Sequence, residues 1–81
     1  MQKPVELLLA DLDLPGVPIT LCTWHAQVGE RVIEGDRLLE VVAGDVVVDV
    51  SAPATGMLAE RRVEIDQRVV PGQVLAVIDP A

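Results

Sequence analysis

The chain has 81 residues, 13 acidic against 6 basic side chains for a formal charge of −7, and is 51% hydrophobic with one aromatic residue, Trp24. That charge, with no run of bases longer than Arg61-Arg62, speaks against a nucleic-acid partner, because phosphate binding needs a basic footprint. No apolar run approaches the roughly 20 residues that span a bilayer, and no charged leader precedes one, so the expectation is a soluble, cytoplasmic domain with no membrane partner.

The length predicts a single domain, residues 1–81 with a core from about residue 5 to residue 78. A domain this small buries only about 60% of the surface its unfolded chain exposes. Its interior must come from Val, Leu, Ile and Ala, a composition that favours strands. Pro and Gly interrupt the chain too often for helices of ordinary length.

In chain order, the first predicted strand is Val5–Ala10. The segment "DLDLPGVP" follows, with Asp11 and Asp13 flanking Leu12 in a solvated loop that turns at Pro15-Gly16. Ile19–Trp24 is the second strand. Its Cys22 is the chain's only cysteine, which leaves no internal disulfide and no multi-cysteine metal site, and the thiol reads as half-buried and structural. His25 has no Ser, Cys or acidic partner at a recognisable spacing, and it reads as a surface residue.

Short strands are predicted at Arg31–Ile33 and Leu38–Val42, then a tight turn at Gly44-Asp45 and a strand Val46–Val50. In that last strand Val46, Val48 and Val50 share one face, with Val47 and Asp49 on the other. Met57–Val63, Val69–Val70 and Leu75–Ile78 complete the set.

Two segments repeat without a gap: "VGERVIEGDRLLEV" (residues 28–41) lies over "IDQRVVPGQVLAVI" (residues 65–78). Arg31 then matches Arg68, Gly35 matches Gly72 and Leu38 matches Leu75. Two similar sheets related by a pseudo-two-fold follow, in a small all-β sandwich or flattened barrel. Gly29 falls on Asp66, a swap that fits a position of left-handed backbone, which Gly adopts freely and Asp tolerates. The alternative is that Asp66 is an ordinary solvated turn residue.

With Trp24 followed by "VGERVIEGDRLLEV", then "DVSAPATGML" and "RVVPGQVLAVI", the chain resembles the biotinyl/lipoyl carrier domain. Within that family it is most similar to the lipoyl domain of 2-oxo acid dehydrogenase acyltransferases, over Val5 to Ile78. The resemblance implies a flattened barrel of two four-stranded antiparallel sheets, whose hairpin tip presents a lysine that a ligase converts to lipoyl-lysine. The arm then shuttles acyl groups between enzymes. The family pattern, similar to "LxEVETDKxxxEVxAPxxG", reads here "LLEVVAGDVVVDVSAPATG", so Gly44 falls on the family's Asp and Asp45 on its Lys. The biotin version, with Met on both sides of the lysine, fits less well.

Amide attachment of lipoate or biotin needs an amine nucleophile, which a carboxylate cannot supply. The only lysine is Lys3, in an N-terminal arm without a rigid turn. The expectation is therefore a lipoyl-type domain with no lipoate or biotin, no catalytic residues and no metal, related to components of 2-oxo acid dehydrogenase complexes. The alternative is a structural or docking module that meets a partner enzyme through Pro15, Gly16, Gly44 and Asp45. Gly44-Asp45 could also be no more than a favourable turn. The ending "VIDPA" fits either the start of an Ala/Pro-rich linker or a terminus.

Overall fold

A computed structural model describes residues 3–80, which form eight strands and no helix. They are β1 (Val5–Leu8), β2 (Ile19–Trp24), β3 (Arg31–Val32), β4 (Arg37–Ala43), β5 (Val46–Ser51), β6 (Gly56–Arg61), β7 (Arg68–Val69) and β8 (Val74–Pro80). Two four-stranded sheets result, in the orders β1-β8-β6-β3 and β5-β4-β2-β7, with every pairing antiparallel. This is the expected architecture.

The strand ends differ from the predicted ones for identifiable reasons. β1 stops at Leu8 rather than Ala10, because Leu9 leaves the ladder to pair with the last turn: its N–H donates to Gln73 O (3.0 Å) and its carbonyl accepts from Gly72 N–H (2.8 Å). β6 stops at Arg61, where the Arg62 N–H turns to Leu75 O (2.9 Å). β8 extends to Val74–Pro80, since Pro can close an edge of the ladder where no donor is needed.

The pseudo-two-fold exchanges β1 with β5, β2 with β6, β3 with β7 and β4 with β8, so each sheet is the image of the other. The turns match atom for atom. Gly29 N–H donates to Leu58 O (2.8 Å) as Asp66 N–H donates to Leu21 O (2.9 Å), and the Glu30 and Gln67 side chains accept from the N–H groups of Gln27 (3.0 Å) and Glu64 (2.9 Å). Gly29 has φ 93° and Asp66 φ 72°, which decides for the left-handed reading of Asp66 over a plain solvated turn.

Leu21, Leu38, Leu39, Leu58, Leu75 and Ile78 are fully buried between the sheets, each such side chain contributing about 1.5–3 kcal/mol of transfer free energy. No polar or charged residue is buried among the described residues. Trp24 closes one side of the core: its indole N–H donates to Val63 O (3.1 Å), and the Arg61 guanidinium lies 5.4 Å from the ring centroid. The result is elongated, 40 × 19 × 19 Å, with the hairpin turns at the ends of the long strands.

Candidate functional site

The β4–β5 hairpin runs in register from Leu39↔Val50 to Ala43↔Val46, leaving Gly44 and Asp45 as its two-residue tip. Gly44 has φ 62° and Asp45 is not in the positive-φ region, the pattern of a II′ turn, whose twist matches the flanking strands. The turn is held by well-paired strands. β4 anchors it with the buried Leu39, Val41 and Ala43, and β5 turns Val48 and Val50 toward the core while Val47 and Asp49 face outward, as the alternation requires. Val46, predicted to share the core face, is half exposed because it lies at the mouth of the turn, past the edge of the covering sheet.

Asp45 stands exposed at the tip, with no hydrogen bond or ion pair to its carboxylate among the described residues. Val46 (50% exposed) and Val47 (57% exposed) flank it, so the carboxylate is bordered by apolar surface. Beside the tip runs the β1–β2 loop. A Cβ built on Gly44 would lie 3.4 Å from Val17 Cγ1, an approach close enough to set the loop against the hairpin. The loop folds on itself through Asp13 N–H to Asp11 Oδ1 (2.9 Å) and Val17 N–H to Leu14 O (3.2 Å), with Asp13 at φ 58°. Leu12, Leu14 and Val17 pack on the core and form, with Ile19 and Pro71, the floor of a groove of about 310 Å³.

Pro15 and Gly16, exposed on this loop, and Gly44 and Asp45 at the tip thus come to one end of the molecule, 28 or more positions apart in the chain (44 − 16 = 28). Asp11 and Asp13 line the groove with its apolar floor, and the Asp45 carboxylate stands on the neighbouring tip. Lys3 is exposed and precedes β1 at the opposite end of that strand from the loop.

Two readings of single residues need correction. Cys22 is exposed rather than half-buried, because the β2–β4 register shifts between Leu21 and Thr23 and the bulge turns the residue between them outward. His25 does have an acidic partner: its Nε2 lies 2.8 Å from Glu40 Oε2, with the two side chains 31% and 23% exposed. The contact was invisible in the sequence because the partner is 15 residues away (40 − 25 = 15), reached through the antiparallel pairing of β2 with β4.

Residues 14–78 match the biotin/lipoyl family, described as that of biotin-requiring enzymes. The chain is similar to the dihydrolipoyllysine-residue succinyltransferase component of the 2-oxoglutarate dehydrogenase complex from Haemophilus influenzae, 32% identical over 77 residues, which cover 95% of this chain and 19% of that protein. The corresponding component from Escherichia coli K12 is 35% identical over 54 residues, 67% of this chain and 13% of that protein. The chain therefore spans less than a fifth of these relatives. The solution structure of the lipoyl domain of the 2-oxoglutarate dehydrogenase complex from Azotobacter vinelandii superimposes with a TM-score of 0.72 at 24% identity, covering 93% of this chain and 99% of that one, a likeness of fold.

Proposed function

The chain belongs to the biotin/lipoyl family of carrier domains, and from that membership we propose that it is a lipoyl-type domain, related to 2-oxo acid dehydrogenase acyltransferases, whose hairpin has no acceptor lysine. Domains of this family hold lipoate or biotin covalently and are not themselves catalytic. The observation that carries the proposal is Asp45: it is one of the two residues of the tip turn, exposed and without a partner side chain among the described residues. Its carboxylate does not fit attachment of either acid, since the amide bond requires a nitrogen nucleophile. Lys3 offers an amine, but not on a turn between paired strands. The domain accordingly stays free of lipoate and biotin, and its partners are protein components of a 2-oxo acid dehydrogenase-type complex.

The test is intact mass after coexpression with active lipoate and biotin ligases, beside an ordinary lipoyl domain as positive control. The control gains mass and this chain does not. A mass increase mapped to any residue of the chain overturns the proposal.

One observation favours a second reading, a docking module. Val17 packs beside Gly44, so the tip with Gly44 and Asp45 stands next to a groove that Pro15 and Gly16 line, with an apolar floor and, at Asp11 and Asp13, an acidic rim. Such a rim steers an oppositely charged partner, while the floor supplies the contact area. Binding to a purified dehydrogenase component of a 2-oxo acid dehydrogenase complex, weakened when Gly16 and Asp45 are replaced together, supports this reading. Binding indifferent to those changes refutes it.

A further inference from the structure

On the outer face of the β5-β4-β2 sheet, away from the tip, β4, β5 and the residue that follows β2 each deliver one metal-ligating side chain to the same spot. His25 follows β2, and its backbone N–H donates to Leu38 O (2.8 Å), which sets the imidazole beside β4. Glu40 on β4 pairs across to Thr23 of β2 on one side and directly to Asp49 of β5 on the other. One ligating atom from each of His25, Glu40 and Asp49 lies within 4.8 Å of the others. We propose that His25, Glu40 and Asp49 form a binding site for a divalent transition ion of the zinc class.

The electrostatics of the sheet support it independently of the distances. Like charges directly opposite each other on an antiparallel pair are destabilising, yet Glu40 and Asp49 face each other in a chain of charge −7. The cation nearest Asp49 is Arg37, whose Nη1 is 3.9 Å from Asp49 Oδ2 and whose side chain is 64% exposed, an arrangement that neutralises little. A dication in front of the pair removes the repulsion.

The geometry is close to a coordination shell. Two ligands each at about 2.0–2.2 Å from one ion are about 2.8–3.1 Å apart at octahedral angles and about 3.3–3.6 Å apart at tetrahedral ones. His25 Nε2 and Glu40 Oε2, at 2.8 Å, need little movement. The ion takes the place of the hydrogen between them, with the imidazole as its Nδ1-protonated tautomer, and Asp49 closes the third position by turning from Arg37. Water fills the rest. An imidazole with two carboxylates suits zinc, cobalt or nickel, whereas magnesium and calcium prefer oxygen alone. Bound metal ties β2, β4 and β5 together below the tip, so it stabilises the hairpin by binding only the folded chain.

The experiment is a calorimetric titration of the untagged 81-residue chain with Zn²⁺ in a non-coordinating buffer, with thermal melts and histidine-ring NMR in parallel. The expected result is one saturable site per chain, a Tm raised by a few degrees at saturation, and a shift of the chain's only imidazole signal, none of it with Mg²⁺. His25→Ala and Asp49→Asn each weaken binding by about tenfold or more, judging by what lesser changes around metal ligands cost. His25→Gln keeps a donor for Glu40 without a ring nitrogen and loses the site equally, which separates ligation from the hydrogen bond. Arg37→Ala tightens binding several-fold, because a competing cation is gone. Unsaturable uptake, or stoichiometric binding that survives His25→Gln, overturns the proposal.

Discussion

Replacing Asp45 by Lys separates the fold from the chemistry of the tip. The Asp45 carboxylate makes no hydrogen bond or ion pair among the described residues, so the change removes no contact and moves the net charge from −7 to −5, one negative charge lost and one positive gained. A pair of surface charges about 10 Å apart in water interacts by only about 0.4 kcal/mol before salt screening, so the stability of Asp45→Lys stays within about 0.5 kcal/mol of the wild type. Adding Gly44→Asp restores the Asp-Lys pair of the family pattern at a cost. Gly44 sits at φ 62° in the position of a II′ turn that glycine dominates, where a side chain costs about 1–3 kcal/mol, and its Cβ would touch Val17 Cγ1 at 3.4 Å. Urea unfolding followed by the fluorescence of the single Trp24 measures both stabilities. Intact mass after identical incubation with lipoate ligase measures the chemistry: no change for the wild type, one lipoyl group on part of the Asp45→Lys chains, and a higher yield for the double variant. If both variants fold as the wild type does and neither is lipoylated, the hairpin differs from a carrier tip by more than its lysine, and the reasoning fails.

Three predictions concern the frame that holds the tip. Gly56→Ala should destabilise by about 3 kcal/mol, because its Cβ would run into the Asp79 carbonyl and lie 2.8 Å from Pro80 Cα, forcing β6 from β8; a urea midpoint unchanged from wild type would contradict this. Leu58→Ala, at a fully buried position, should cost about 2–5 kcal/mol in the same assay, and a loss under about 1 kcal/mol would mean that the sheets close over the cavity. Gly29→Ala should cost about 1 kcal/mol through left-handed backbone alone, since a Cβ there meets nothing within 4 Å, and Asp66→Gly, which takes a Cβ away from the same conformation, should be neutral or stabilising by up to about 1 kcal/mol; a neutral Gly29→Ala or a clearly destabilising Asp66→Gly would break the equivalence of the two turns.

Local pattern in the sequence determined most of the fold. Alternation in "VVVDV" assigned Val48 and Val50 to the core and Asp49 to solvent, and the gapless repeat of residues 28–41 over 65–78 implied two equivalent sheets and the shared backbone of Gly29 and Asp66. These features are legible because side-chain period and turn chemistry act over a few neighbouring residues. The two-residue tip was legible for the same reason, as was the carboxylate standing on it. What the sequence could not express is which strands lie side by side and in what register. The antiparallel pairing of β2, β4 and β5 brings His25, Glu40 and Asp49 together, and the packing of Val17 on Gly44 sets the acidic loop beside the hairpin. The bulge at Cys22 likewise exists only in relation to β4. Each depends on contacts between segments distant in the chain, whose energies come from burying both sheets around one core, so tertiary structure alone decided them.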